Sequence, residues 1–271
     1  SASSIFGGNW EAGAGAIAAE NAALRWLADL AGYPPDAGGV FVSGGSAANL
    51  AALVTARDQF RQRLASSGSP LPAGRLAFAA TSEVHASVRA SARVMDVDVV
   101  EVPADAQGRM TAAHLSVALD ASPCTAFAVV ATGGTTNAGM IDDLDGIADV
   151  CGQRSLWLHV DGAYGLAALC APSVRDGFRG IERSDSFGLD PHKWLFAPYD
   201  CAAVIYRHPH AAALAHAQHG DYLEAIDRNE WNPSDYAYHL SRRARGLPLW
   251  FSLATHGTDA YRDAVERTID T

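Results

Sequence analysis

Short apolar runs alternate with stretches of helical spacing along most of this chain, and glycine turns punctuate them. Ala14 to Gly32 predicts a helix, with Ile17, Leu24, Trp26, Leu27 and Leu30 as its apolar positions. Gly32-Tyr33-Pro34-Pro35 stops it. Gly39 to Val42 predicts a short strand that runs into Ser43-Gly44-Gly45-Ser46 and then a helix from Ala47 to about Leu64. After a loop at 66–74, strands are expected at 75–81, 97–102, 125–132 and 156–160, the last ending on Asp161. Helices are expected between them at 85–95, at 111–121 with Thr111 as a cap, and at 144–151. Ser184 to Leu189 and Cys201 to Tyr206 read as two more extended runs. Apolar strands separated by helices imply an α/β fold with a largely parallel sheet buried on both faces.

The composition shifts near His208. From there to Tyr238 the chain is rich in His, Asp, Asn and Tyr and poor in aliphatics. Much of 208–238 is expected to be a long loop, mobile or functional. At 271 residues the chain can bury a large core. A net charge of −10 argues against nucleic acid and against anionic membrane as partners. No apolar run approaches the roughly 18 residues of a membrane-crossing helix, and residues 1–10 lack the pattern of a signal peptide. The cysteines Cys124, Cys151, Cys170 and Cys201 show no CxxC spacing. They read as small buried hydrophobes in a reducing compartment, so a cytoplasmic location and no metal site are expected. The chain starts without Met and stops inside a helical run, as a fragment would.

The chemistry changes the picture at Asp190-Pro191-His192-Lys193-Trp194. Of the 20 Lys and Arg residues, Lys193 is the only lysine. Guanidinium serves as well as ammonium for solvated charge, but only an amine can lose its proton, attack a carbonyl and form a Schiff base. Other reactive groups recur at predicted strand ends, where open α/β sheets bind ligands. Ser43 to Ser46 follows one strand, His85 another, Thr135 and Thr136 a third, and Asp161 ends a fourth. An anion cradle, an imidazole, a carboxylate and a unique amine together fit pyridoxal 5'-phosphate.

Each part also has a plainer reading. Ser43-Gly44-Gly45-Ser46 suits a phosphate, and equally a tight turn with a helix cap. Asp161 suits a pyridine nitrogen, and equally a strand-end cap. Ala163 is small enough for a ring to lie over. His85 suits stacking on that ring, or capping the next helix, and His192 suits the phosphate or the orientation of its own loop.

The segment "DPHKW" at 190–194, preceded by "HVDGAYG" at 159–165, resembles the group II pyridoxal-phosphate-dependent amino acid decarboxylases. The likeness extends through "RWLADLAGYP", "VFVSGGSAANL", "SEVHASV", "ATGGTTNAG" and "SRRARGLPLWFSL". It implies an aspartate aminotransferase-like (fold type I) large domain at 1–246, with a mostly parallel sheet of about seven strands. Residues 247–271 would be a helix leading toward a small C-terminal domain that the chain lacks. By the same resemblance, Lys193 bonds to the cofactor, Asp161 pairs with the ring nitrogen, Ala163 packs on the ring and His85 stacks on it. Gly44, Gly45, Ser46 and His192 bind the phosphate, and Thr136 lies near the cofactor. Asp190 stands where many members carry Asn and is expected to contact the phosphate or the nearby backbone. Tyr222 matches a mobile-loop tyrosine that returns a proton to the substrate carbon, and Arg242 and Arg243 match a basic pair near the active site, or begin a solvated helix. Gly7 and Gly8 stand where aromatic-specific relatives carry bulkier groups.

The expected reaction is decarboxylation of an L-amino acid, aromatic in the first instance, to the amine and carbon dioxide. The expected assembly is a homodimer with residues 218–235 near the other subunit's site. The alternatives are a carbon–carbon lyase or an aldehyde-forming oxidative decarboxylase on the same scaffold, and a non-catalytic protein that keeps the fold.

Overall fold

The computed structural model describes residues 4–218 and 230–271. Helix α1 (Trp10–Leu30) and strand β1 (Gly38–Val42) lead into α2 (Gly45–Ser66), followed by β2 (Leu76–Thr81), α3 (Ala86–Met95) and β3 (Asp98–Val102). The chain continues through α4 (Ala112–Ala121), β4 (Thr125–Thr132), α5 (Leu144–Arg154), β5 (Trp157–Asp161), β6 (Ser186–Leu189) and β7 (Ala202–Tyr206). Helices α6 (His210–His216) and α7 (Leu247–Ile269) complete it, and short 3-10 turns fill the crossover from β5 to β6.

The seven strands form one sheet in the order β1-β7-β6-β5-β4-β2-β3. Neighbours from β6 through to β3 are parallel. β7 is antiparallel to both β6 and β1, so β1 shares the common direction and only β7 opposes it. Strand residues alternate between two cores. Phe41, Ala79, Val129, Val160, Phe187 and Ile205 face the side covered by α1, α4, α5 and α7. Phe78, Val130, Val42 and Val204 face the side covered by α2, α3 and α6. This two-sided burial explains why the strands read as continuous apolar runs rather than alternating ones. Each fully buried phenylalanine among them contributes roughly 1.5–3 kcal/mol by leaving water.

Two elements differ from the expectation. α1 begins at Trp10, four positions before Ala14, because Asn9 caps it by accepting the Ala12 N–H at 3.0 Å. Gly13 interrupts the helical torsions (φ −142°, ψ 24°), which hid the first turn from the spacing pattern. The stretch 208–238 is not simply a loop. It contains α6, which buries Ala211, Ala212 and His216 on α2, and His216 Nε2 reaches Thr55 Oγ1 at 3.1 Å. Trp231 and Tyr236 stack with ring centres 4.0 Å apart.

Among the described residues no helix is long and apolar enough to cross a membrane. All four cysteines are free, three buried and Cys124 half-buried. Burial pushes the thiols up, Cys151 to about 12 and Cys170 to about 11, which keeps them unreactive.

Candidate active site

The β2–α3–β3 crossover leaves the sheet in one direction and β4–α5–β5 in the other, so the chain reverses between neighbouring β2 and β4. Open α/β sheets bind ligands beyond the strand ends at such a reversal. A cavity of about 170 Å³ lies there, lined by Glu83, His85, Thr132, Thr136, Asp161 and Lys193 among others. Ala163 and Tyr164 also line it. Five groups singled out in the sequence, His85, Thr136, Asp161, Ala163 and Lys193, therefore share one wall.

Lys193 sits in the loop after β6. Its Nζ lies 3.0 Å from Asp190 Oδ2, and Asp190 is 2% exposed. The same oxygen accepts the Gly45 N–H at the start of α2 (3.2 Å) and lies 3.5 Å from His192 Nε2. Asp190 thus ties the lysine loop to the Ser43–Ser46 turn. His192 Nδ1 accepts the Cys201 N–H at 3.0 Å, which leaves its proton on Nε2, facing Asp190. The ring stacks on Tyr199 at 4.2 Å, and burial pushes its pKa below the ordinary imidazole value. Gly45 needs to be glycine for close approach: a Cβ there would meet Ala163 Cβ at 3.2 Å and the Asp190 carboxylate. Gly162 is forced more strongly, since a Cβ would fall 2.0 Å from Leu166 Cγ.

Asp161 ends β5 with 6% exposure. Its Oδ2 accepts Asn49 Nδ2 at 2.9 Å and its Oδ1 accepts the Ala163 N–H at 3.3 Å. Asn49 Nδ2 also donates to Ser87 Oγ at 3.0 Å, while Asn49 Oδ1 faces His159 Nε2 at 3.0 Å. Ser87 Oγ lies 2.8 Å from His85 Nδ1, which also accepts the Ser87 N–H at 3.2 Å. His159 is fully buried. Burial holds its pKa down to about 4, with Asp161 pulling the other way.

Other singled-out residues fall elsewhere. Gly44 and Ser46 line an adjoining hollow with Ser43, Ala47, Ser87 and Tyr238, beside the cavity rather than within it. Tyr222 lies outside the described residues. Arg242 does not begin a solvated helix: its side chain is fully buried, and its guanidinium grips Glu20 with bonds of 2.7 and 2.9 Å. Arg243 and Arg245 both bond to Asp200. Gly7 and Gly8 serve packing, because a Cβ on Gly8 would lie 2.6 Å from Leu240 O, and Gly7 N–H donates to Arg242 O at 3.0 Å.

Asn49, Ser87, His159, Thr132, Glu83 and Tyr164 escaped the sequence reasoning. One signal was present for His159: it stands two positions before Asp161 on a strand, so both side chains share a face.

The chemistry of the lining suits an aldehyde cofactor with a basic ring nitrogen and a phosphate. Thr132 Oγ1 at the cavity and Asp190 Oδ1 beside Lys193 are buried with no hydrogen-bond partner in the protein. Such atoms are open capacity that a polar ligand takes up. Among the described residues no cluster of His, Cys, Asp or Glu is arranged to hold a metal ion. Fold and lining together define the large domain of a fold type I pyridoxal-phosphate enzyme.

Residues 5–271 match the pyridoxal-dependent decarboxylase conserved domain, and the chain belongs to that family. It is 34% identical over 274 residues to an aromatic-L-amino-acid decarboxylase of Bacillus atrophaeus, covering 98% of this chain and 55% of that protein. The Sus scrofa aromatic-L-amino-acid decarboxylase is 30% identical, with 97% and 58% covered. Among solved structures, Oryza sativa TDC with PLP and tryptamine superposes with a TM-score of 0.86 at 31% identity, covering 96% of this chain and 56% of that one. Mouse CSAD gives 0.85 at 32% identity, covering 99% and 56%. The chain therefore spans little more than half the length of these relatives.

Proposed function

We propose that this chain is the cofactor-holding part of a decarboxylase that converts an aromatic L-amino acid to its amine and carbon dioxide with pyridoxal 5'-phosphate. The observation that carries this is the convergence of the only lysine, Asp161 and His85 on one cavity at the chain reversal. The aromatic substrate rests on the names of the relatives from Bacillus atrophaeus and Sus scrofa.

When bound, the cofactor supplies a protonated pyridine ring that accepts the electron pair left by the departing carboxylate. Lys193, whose amine Asp190 holds at the cavity, would be the residue to anchor the cofactor through its aldehyde, with loss of water. Asp161 holds the proton on the ring nitrogen, its carboxylate kept in place by Asn49 and the Ala163 N–H. His85 lines the cavity where it would cover the ring, and its Nε2 would be the nitrogen left to donate to the substrate. Thr136 and the Thr132 hydroxyl add polar contacts from the end of β4. Gly44, Gly45, Ser46 and His192 are assigned to the phosphate, Gly45 opening α2, whose N-terminus favours an anion. Tyr222 is assigned the return of a proton to the substrate carbon, and the assembly is assigned as a homodimer, both on the family resemblance. Light scattering tests the second.

Carbon dioxide release measured across tyrosine, tryptophan, phenylalanine, histidine and glutamate, on full-length protein with cofactor added, tests the reading. Release is expected with an aromatic acid and to be lost in Lys193→Ala. Cofactor uptake with no release from any acid would favour a non-catalytic protein. Aldehyde formed with oxygen consumption would favour the oxidative relative.

A further inference from the structure

The hydrogen bonds around Asn49 leave no freedom in where their protons sit. Asp161 accepts only, so the amide nitrogen of Asn49 must face it, and that nitrogen spends its second hydrogen on Ser87 Oγ. Asn49 Oδ1 then faces His159 Nε2, so the His159 proton is on Nε2 and its Nδ1 accepts from the Ser186 hydroxyl at 2.9 Å. Ser186 Oγ in turn accepts Trp157 Nε1–H at 2.9 Å. At the other end, Ser87 Oγ has accepted from Asn49, so its own proton points to His85 Nδ1. The Ser87 N–H points there too, and both require an unprotonated Nδ1. One directed chain thus runs from Trp157 through Ser186, His159 and Asn49, and forks to Asp161 and to His85 through Ser87. Asn49 is 1% exposed, His159 and Ser186 0%, and Ser87 6%, so water does not compete for the bonds among these four, while His85 at the end of the chain is exposed.

From this geometry we infer that Asn49 is a positioning residue for two cofactor-facing groups at once. It aims the Asp161 carboxylate and, through the Ser87 hydroxyl, adds to the Ser87 N–H a second donor that makes His85 Nδ1 an acceptor. The inference rests on the proposed function only for what Asp161 and His85 then do. The tautomer itself is a property of the protein alone.

Asn49→Asp is the decisive variant, because it keeps the shape and the acceptor toward His159 but turns the Ser87 bond around and abolishes the one to Asp161. A carboxyl at that position repels Asp161 unless the two share one proton, and in either case it accepts the Ser87 hydroxyl proton, which leaves a Ser87 lone pair facing His85 Nδ1. Nitrogen-15 NMR of histidine-labelled apo protein reads the tautomer, with the His85 signal assigned through His85→Gln. In the wild type, His85 is expected with unprotonated Nδ1 and protonated Nε2. In Asn49→Asp a measurable share is expected to carry the proton on Nδ1, against the Ser87 N–H that still favours the wild-type tautomer, and the dissociation constant for pyridoxal phosphate is expected to rise at least tenfold. A folded Asn49→Asp protein with the wild-type His85 tautomer and cofactor affinity within twofold of wild type would overturn the inference. Should that variant fail to fold, Ser87→Ala tests the His85 arm with the Asp161 arm intact. The residue-87 N–H still points at Nδ1 and favours the wild-type tautomer, so the second tautomer is expected only as a minor, newly detectable share, and its complete absence would count against the Ser87 hydroxyl arm. Wild-type protein that takes up no cofactor would instead remove the proposed function and leave the tautomer result standing.

Discussion

Arg242→Leu removes the cation from a pair whose side chains are 0% and 1% exposed. Glu20 loses two charge-assisted bonds, at 2.7 and 2.9 Å, and keeps only the Gly246 N–H at 2.7 Å. The carbonyls of Gly7 and Phe41 lose their guanidinium donors as well. The pair joins α1 to the entrance of α7, to β1 and to the N-terminal segment. An uncompensated buried carboxylate of this kind costs about 3–5 kcal/mol, because desolvation is no longer offset by a partner. Leucine fills part of the volume, so the cavity term is small beside the charge term. Equilibrium urea unfolding of the apo protein, followed by tryptophan fluorescence, measures the loss. The double variant Glu20→Leu with Arg242→Leu should recover most of it, since an apolar pair replaces an ionic one at little net cost. Arg243→Leu makes a useful contrast: its partner Asp200 and Arg243 itself are 32% and 39% exposed, and its loss should cost at most about 1 kcal/mol. A cost below about 1 kcal/mol for Arg242→Leu, with cofactor affinity falling instead, would refute the structural role and restore Arg242 to the active site.

Asp190→Asn should tighten binding of pyridoxal phosphate severalfold near neutral pH. Its carboxylate occupies the Gly45 N–H at the turn assigned to the phosphate, and removing that charge removes a repulsion; weaker binding in a fluorescence titration would contradict this. Stability should fall as pH drops below the range of an ordinary histidine. His159 is held down to about 4 in the folded protein, whereas the unfolded chain takes up its proton near 6.5. Its contribution is therefore complete above about 6.5 and lost progressively down to about 4, on the order of 3 kcal/mol. Urea midpoints compared at neutral pH and near pH 4.5 read it, and the slope should flatten in His159→Gln.

The sheet was legible because all its strands but the edge strand β3 are buried on both faces and so appear as apolar runs bounded by glycine or polar turns. The cluster at the strand ends was legible for the same reason: Asp161, His85 and Lys193 stand just beyond such runs. The start of α1 was not, because Gly13 breaks its spacing and the cap that begins it is a local bond from Asn9. α6 was missed because an alanine and histidine heptapeptide carries little apolar pattern, although packing on α2 makes it helical. Arg242 read in sequence as half of an active-site basic pair or as the start of a solvated helix, since nothing local announces that Glu20, 222 positions away, waits for it. The Asn49 network has the same character. It joins residues 38 and 112 positions apart, and only the packing of α2 against α3 and the sheet brings them together.

Reduction of the cofactor-loaded protein with borohydride, followed by peptide mass spectrometry, bears most directly on the amine at the cavity. The phosphopyridoxyl mass is expected on Lys193 alone, to be absent from Lys193→Ala, and to be weakened by changes at Asp161. Equal labelling of wild type and Lys193→Ala, or a label confined to the terminal amine, would contradict the account.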